Sequence, residues 1–541
     1  MGANRISSSV WNWGKDINVT NAGTIKGISG KEGLFGIYAV NDTSSYLGAS
    51  SEAVHSGSID FSENSKSTGI FIKNGTLASS GNISIKEGSV GINATDSKVN
   101  VSAGFRLTGT SVGVLPEFMG TAGNINITRT DSTVYLLEGR SFTSGAGGNF
   151  TDNLSLTSSA TYMYINAKNT TLNYKNTKVV NNNKIIFLNS YNSRISLMPG
   201  TDISSTEEKV TGVYATNGGI VHNHGKIRLT GKNSAALYGV KENITGISTF
   251  LLNKVTGSIE IGKNGSGLYA VGASAKNEGN ILAGAGSMGM RTEGGTLENA
   301  LGAKISGTGI KALGMSQKGG GIIENDGEIT LAGDQSIGIH SENATSLSHS
   351  IRNGGTVNVG DSVSAANPSI GIYSANGMNS TIYNTGKVKA GDRSIGIYGG
   401  NIDLDGVVPS ETSAGAGGMA VYSKEGLVTI GENAKLSVGA SLGKDKEGVA
   451  VYLAGNSQTL DSRTSALTIG DGSFGYVTTG YSGNSGDVTL NNDSIFLYSA
   501  DKSATGTITN YNHLKSAGNE NYGYILQEER LTMGIWIFQQ E

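Results

Sequence analysis

Residues 384–398 read Asn-Thr-Gly-Lys-Val-Lys-Ala-Gly-Asp-Arg-Ser-Ile-Gly-Ile-Tyr, and this stretch holds both phrases that recur along the chain. The first phrase is Asn-x-Gly-x-aliphatic, at 384–388. The second is Ser-x-Gly-aliphatic-aromatic, and its clearest copy ends at Tyr398. Apolar residues alternate with polar ones at period two, which is typical of β-strands, and Asn and Gly tolerate the positive φ of a turn. The stretch therefore predicts a strand, a turn and a second strand.

Copies of the two phrases alternate from the beginning of the chain to its end. Taking the aromatic slot of the second phrase as a ruler gives about 20 units with a mean spacing of about 26 residues, a period typical of solenoids. Such short strands can bury a face only if equivalent strands of successive units stack and pair along one axis. The fold class that the repeats predict is all-β, a single-stranded parallel β-helix (solenoid) of about 20 coils.

Substitution among the repeats assigns the faces of the recurring strand. The slot before the aromatic holds only aliphatic residues or Met, as at Ile37, Val213, Ile339 and Ile397, so it is expected to point inward. The aromatic slot also accepts Asn, Arg and His, so it is expected to point outward. Two external ladders of stacked rings follow, one of Tyr214, Tyr238 and Tyr269 and one of Tyr373, Tyr398, Tyr422 and Tyr452. Their rings either stack only on each other or form a ligand-binding platform for sugar rings.

Composition removes several functional classes. The 541 residues include 82 Gly, four Pro and no Cys, with 40 basic against 43 acidic side chains. This charge balance lacks the basic excess of a nucleic-acid binder, so no nucleic-acid partner is expected. The absence of Cys removes disulfides, thiolate metal sites and cysteine nucleophiles. No apolar run is long enough for a membrane-spanning helix, and the first 14 residues contain no apolar core of a signal peptide.

Two motifs resemble ligand sites but fit the repeat better. Residues 284–289 match G-x-G-x-x-G, yet a turn rather than a helix is expected to follow, so the dinucleotide fingerprint is incomplete. His222 and His224 have the spacing of a metal pair on one side of a strand, but both occupy slots that vary freely among the repeats. We therefore expect no cofactor and no metal.

Catalytic carboxylates are also weakly indicated. Asp334, Asp361, Asp392 and Asp471 each follow a glycine at the same place in the repeat, where an Asp can bond its own backbone in a turn. A β-helix lyase or glycosidase needs a group of carboxylates that departs from the repeat. The chain is therefore expected not to be an enzyme, with a polysaccharide-degrading β-helix enzyme as the alternative.

Deviations from the repeat divide the chain. Residues 1–20 are interpreted as an N-terminal cap or lead-in, 21–525 as the solenoid, and 526–541 as an atypical end that is a cap or a truncation junction. The four prolines, at 116, 199, 368 and 409, are expected in turns or insertions. Insertions between coils are expected at 41–60, 241–252, 341–350, 361–368, 400–417 and 439–447.

With both phrases in place, the sequence resembles the passenger region of the very large type V autotransporter adhesins of fusobacteria and their relatives. The resemblance implies a right-handed β-helix that acts as a rigid adhesin stalk in host-cell attachment, coaggregation and biofilm formation. It implies a cell-surface location tethered to the outer membrane, with a glycan or protein receptor on a host cell or bacterium as partner. It also implies a C-terminal outer-membrane barrel, which this chain lacks, so the sequence is interpreted as a passenger fragment. A purely structural spacer is a further alternative.

Overall fold

A computed structural model describes most of the chain, which divides into two compact units, residues 1–295 and 296–541. The described residues are 8–14, 18–41, 52–73, 75–95, 98–101, 106–111, 117–118, 124–125, 132–138, 141–144, 155–156, 162–181, 183–242, 248–342, 351–375, 380–455, 458–464, 466–478, 481–484, 486–499, 508–510 and 514–526. Within these residues every regular element is a β-strand. From Tyr162 onward each coil contributes one strand to each of three sheets, which we name first, second and third in chain order. Nearer the N-terminus the same order holds less regularly, because the strand Asn82–Thr95 pairs with both Ser58–Phe61 and Thr68–Lys73.

The strands of the first unit fall into an N-terminal group and a second group that begins at Ser132. In the N-terminal group the strands are Ser8–Gly14, Asn18–Asn21, Thr24–Lys26, Phe35–Asn41, Glu52–His55, Ser58–Phe61, Thr68–Lys73, Thr76–Ser79, Asn82–Thr95, Lys98–Val101, Arg106–Ser111, Glu117–Phe118 and Asn124–Ile125. In the second group they are Ser132–Glu138, Phe142–Thr143, Ser155–Leu156, Tyr162–Lys168, Thr171–Tyr174, Thr177–Val179, Ile186–Tyr191, Arg194–Leu197, Asp202–Ser205, Thr211–Thr216, Ile220–Asn223, Lys226–Leu229, Ala235–Val240, Phe250–Asn253, Ser258–Ile261, Ser266–Val271, Ser274–Asn277, Asn280–Ala283 and Met288–Glu293.

The second unit is more regular. Its first-sheet strands are Leu313–Lys318, Ile337–Glu342, Ile370–Ser374, Ile395–Gly399, Met419–Ser423, Val449–Leu453, Phe474–Thr478, Ile495–Ser499 and Tyr522–Leu526. Its second-sheet strands are Thr296–Asn299, Ile322–Asn325, Ile351–Asn353, Thr381–Asn384, Asn401–Leu404, Leu427–Ile430, Thr459–Ser462, Tyr481–Asn484 and Ile508–Asn510. Its third-sheet strands are Lys304–Gly307, Glu328–Leu331, Thr356–Val359, Lys387–Ala390, Ser410–Ala414, Ala434–Val438, Ala466–Ile469, Val488–Leu490 and Leu514–Ser516.

Equivalent strands of successive coils pair in parallel, so the predicted fold class, a parallel β-solenoid, is confirmed in each unit. In the second unit Ile339 pairs with Ile372, which pairs with Ile397, and the column continues through Val421 and Val451. All five side chains are fully buried. Ile37 and Val213 of the first unit are buried in the same way. The inward assignment of the aliphatic slot is therefore correct.

The asparagine of Asn-x-Gly is where the sequence interpretation was wrong. It does not occupy a turn with positive φ but ends a second-sheet strand with its side chain inside the coil. In the second unit the amide Nδ2 of each asparagine donates to Oδ1 of the next, at 2.7 Å from Asn299 to Asn325, 2.6 Å from Asn325 to Asn353 and 2.6 Å from Asn353 to Asn384. At most 1% of each residue is exposed. We call this column the asparagine ladder.

Positive φ occurs at another corner, between the third and first sheets. Asn264 at 55°, Gln335 at 58° and Arg393 at 55° adopt it there. In the latter two coils the next residue is the serine of the second phrase, and this serine column is buried and bonded to the preceding coil. Ser473 shows the full pattern, because its Oγ accepts from the backbone N–H of Gly448 at 3.2 Å and donates to the carbonyl of Gly439 at 2.9 Å. Two buried polar columns thus link successive coils.

In the first unit, a histidine replaces asparagine at one position of this internal column. His55 pairs in register with Asn21 and is fully buried. Its Nδ1 lies 3.1 Å from Nδ2 of Asn21, and its Nε2 lies 3.3 Å from the carbonyl of Asn82. Burial lowers the pKa of His55 below its usual value, because a charged imidazolium loses hydration there. The neutral ring therefore replaces the amide, with Nδ1 as acceptor and Nε2–H as donor.

Several smaller predictions can now be compared with the strand bounds. The aromatic ruler misplaced Tyr164, Phe187 and Tyr476, which are fully buried inside the coil. The expected insertions at 41–60 and 400–417 contain regular strands, so they are shorter than predicted. Prolines 199, 368 and 409 lie between strands as expected, whereas Pro116 lies outside the described residues. The division into 1–20, 21–525 and 526–541 stays a prediction, and 527–541 also lie outside the described residues.

Candidate functional site

The outer face of the first sheet in the second unit is uncharged over six consecutive coils. The strands from Ile370–Ser374 to Ile495–Ser499 contain no Asp, Glu, Lys or Arg. Each strand has two positions on this face, and we call their side chains together the apolar stripe: Ile370, Tyr373, Ile395, Tyr398, Met419, Tyr422, Val449, Tyr452, Phe474, Val477, Ile495 and Tyr498. Neighbouring side chains cover Ile370, Val449 and Val477, which are buried, and the other nine are half-buried. Uncharged, regularly spaced apolar side chains on an outer sheet face are a common feature of interaction surfaces.

Four of the predicted ligand-binding tyrosines form the centre of this stripe. Ring centroids lie 5.0 Å apart between Tyr373 and Tyr398, 4.7 Å between Tyr398 and Tyr422, and 5.4 Å between Tyr422 and Tyr452. The planes of these pairs differ by 26°, 5° and 2°. His340 continues the stack on Tyr373 at 5.2 Å and 8°. The sequence thus placed these rings in one external column.

The stacking limits what the tyrosines can bind. Each inner ring has both faces covered by its neighbours, so only ring edges and phenol hydroxyls face outward. Sugar rings stack on aromatic faces, and such faces are occupied here by other tyrosines. Burial between neighbours, together with the adjacent phenols, raises the pKa of Tyr398 and Tyr422. The geometry therefore favours the interpretation in which the rings stack on each other.

The ladder in the first unit has a different chemical character. Tyr214 and Tyr238 lie 5.2 Å apart at 45°, and Tyr238 and Tyr269 lie 4.8 Å apart at 14°. The guanidinium of Arg291 caps the stack, 4.9 Å from the Tyr269 ring centroid. The Tyr269 hydroxyl donates to Glu293 at 2.7 Å, and burial with this bond raises the pKa of Tyr269 to about 12. The charged side chains of Arg291 and Glu293 contact the end of this ladder. The ladders of the two units are therefore not chemically equivalent surfaces.

Long connections in the second unit are confined to the borders of the first sheet. Five stretches between consecutive strands exceed five residues: 343–350, 360–369, 375–380, 439–448 and 500–507. Each of them enters or leaves a first-sheet strand. The corner between the second and third sheets has two to five residues in every coil. Loops that vary in length on a rigid scaffold commonly carry binding specificity, so the apolar stripe and the two fully described long connections, 360–369 and 439–448, form the candidate surface.

The repeated aspartates have a structural role that differs in detail from the prediction. Their carboxylates bond the next coil, and the carboxylate of Asp334 also bonds its own turn, where Oδ2 accepts from Nε2 of Gln335 at 3.0 Å. Oδ1 of Asp334 accepts from the backbone N–H of Val363 at 2.9 Å, and Oδ1 of Asp361 accepts from that of Asp392 at 2.8 Å. Asp392 and Asp471 make the same kind of bond, with Ala416 at 2.8 Å and Asn492 at 3.1 Å. These bonds explain why the aspartates recur with the coil period.

The two remaining sequence motifs, the G-x-G-x-x-G match and the histidine pair, do not form a ligand site in the described residues. Residues 284–289 lead directly into the strand Met288–Glu293, so the G-x-G-x-x-G match has no following helix. His222 is half-buried in a strand, and its pKa is lowered, first by burial and then by nearby cations. Across the described ranges, no three His, Cys, Asp or Glu side chains are grouped closely enough to hold a metal ion. The described part of the chain also has no helix long and apolar enough to cross a membrane.

Comparison with known proteins adds no family assignment. No protein-family model matches the chain, and no curated protein matches its sequence significantly.

Proposed function

We propose that this chain is the adhesive passenger region of a large autotransporter-like surface protein, a stalk that binds host cells or other bacteria and promotes biofilm formation. The proposal rests on the resemblance of the two repeat phrases and on the parallel solenoid. In this proposal the chain is displayed at the cell surface, and its receptor is a surface glycan or protein.

One observation favours adhesion over a plain spacer. A spacer needs only regular coils, yet the ten-residue connections 360–369 and 439–448 both enter strands of the uncharged sheet face. Repeat proteins commonly place insertions on the face that binds. Each contact would be weak, and display of many copies on a surface would make attachment multivalent.

The test replaces the loops and keeps the coils. Connections 360–369 and 439–448 are each shortened to the four-residue length of 391–394, and the variant is coated on beads beside the wild-type chain. We expect at least a tenfold loss of bead attachment to epithelial cells or partner bacteria. The matched control shortens 254–257, a connection between the second and third sheets of the first unit, to the two-residue length of 278–279, and there we expect attachment to persist. Wild-type beads that attach to no cell would reject the adhesive role and favour the spacer, and unchanged attachment of the loop variant would show that these two loops do not carry the adhesion.

A further inference from the structure

A separate depression lies at the corner between the second and third sheets of the second unit. Three successive corners there, 326–327, 354–355 and 385–386, contain only two residues each. The corners at either end are longer, 300–303 and 405–409, and they project beyond the three short ones. The space between the two longer corners is about 410 Å³ and is widely open to solvent. We call it the corner groove.

The ends of the corner groove are aliphatic and its middle is polar. Leu301 at one end is 87% exposed, and Val408 at the other end is 51% exposed. With four coil steps between them, these ends lie about 19 Å apart along the axis. Exposed aliphatic residues at both ends of a depression provide apolar contact area for a ligand.

The floor at Gly354 is open because this residue has no side chain. Built onto Gly354, a Cβ would lie 2.6 Å from Oδ1 of Asp326 and 3.9 Å from Oγ1 of Thr385. The carboxylate from the coil before and the hydroxyl from the coil after thus both border the position that a side chain at residue 354 would take. In the described part of the chain, no hydrogen bond or ion pair engages the Asp326 carboxylate, the Thr385 hydroxyl or the Lys387 ammonium.

We propose that the corner groove is a saccharide-binding site. A carboxylate, a hydroxyl and an ammonium supply acceptors and donors together, and sugar hydroxyls can pair with all three. The C–H faces of a short oligosaccharide pack against Leu301 and Val408 at the ends. The saccharide assignment rests on the proposed adhesive function, whereas the existence of the site does not.

Gly354 allows the groove to be filled without breaking the coil. Its backbone does not have a positive φ, and the nearest atoms to an added Cβ belong to side chains that can rotate. The equivalent residue in another repeat is His224, which shows that the corner accepts an imidazole. Gly354→His should therefore occlude the groove in a folded protein, and His224→Ala in the first unit is the matched control.

The purified chain is tested on an array of host-cell and bacterial-surface oligosaccharides, followed by calorimetric titration of the best binder. We expect at least tenfold weaker binding for Gly354→His, a similar loss for Asp326→Asn, and no change for His224→Ala. Melting temperatures within a few degrees of wild type verify the fold. Any one of three results would overturn the proposal. The wild type binds no oligosaccharide, Gly354→His binds as tightly as the wild type, or the chain captures only peptides. Wild-type beads that fail to attach to cells while the chain binds sugar would reject adhesion and keep the site.

Discussion

Gly355→Ala is expected to disrupt coil stacking, whereas Gly354→Ala beside it is expected to be tolerated. A Cβ on Gly355 would lie 2.1 Å from the carbonyl oxygen of Gly327 in the preceding coil, a backbone atom that cannot rotate away. The coils would have to separate locally, which would break the parallel pairing next to it. We expect the free energy of unfolding to fall by about 3 kcal/mol or more, at the upper end for overpacked sites.

Urea denaturation of the two variants measures this difference. For Gly354→Ala we expect a stability equal to wild type or up to about 1 kcal/mol higher, because alanine restricts the unfolded chain. The two changes add the same methyl group at neighbouring positions, so composition cannot explain a difference between them. Equal stability of the two variants would show that the corner does not pack as described.

Asn353→Ala is expected to have the second largest effect. This amide accepts from Asn325 and donates to Asn384, each at 2.6 Å, and all three side chains are buried. Removing it leaves a donor on Asn325 and an acceptor on Asn384 without partners in the interior. A buried polar group without a partner costs about 1–3 kcal/mol, so we expect a total loss of about 2–5 kcal/mol.

The control for this change is Asn358→Ala on the outside of the same coil. Asn358 donates to Thr330 at 3.3 Å, but both side chains are only half-buried, so water can replace the lost bond. We expect a loss of less than about 1 kcal/mol. A cost for Asn353→Ala no larger than for Asn358→Ala would contradict a continuous internal ladder.

The solenoid could be predicted because its core depends on a local, repeated signal. Strands of period two with an invariably aliphatic slot, such as Ile339 and Ile397, leave only one arrangement that buries that slot in every unit. The aromatic ruler was less reliable, since Tyr164 and Phe187 are aromatic but point inward. Ring type alone does not fix the face of a strand, because large aromatics also fill the interior.

The asparagine ladder was missed because its sequence is identical to a turn signature. A usable signal was present within the repeats. Asparagine is the same in the four copies at 223, 277, 325 and 384, while the next residue varies among His224, Glu278, Asp326 and Thr385. A turn position tolerates exchange among small polar residues. A buried asparagine whose amide bonds the asparagines of the neighbouring coils does not tolerate such exchange. The corner groove could not be predicted, because it depends on where strands end on either side of three short corners.

The central claim is that equivalent strands of successive coils lie side by side in register, and cysteine cross-linking tests it most directly. The chain has no native Cys, so introduced pairs report without background. Thr330 and Asn358 are register partners on the third sheet, and Lys389 is the partner of Asn358 one coil further on. Neighbouring strands place Cα atoms about 4.8 Å apart, which suits a disulfide, whereas two coils are about 9.6 Å apart and exceed its reach. We predict rapid intramolecular oxidation of Thr330→Cys with Asn358→Cys and none of Thr330→Cys with Lys389→Cys. Failure of the first pair, or equal oxidation of both, would contradict the stacked solenoid.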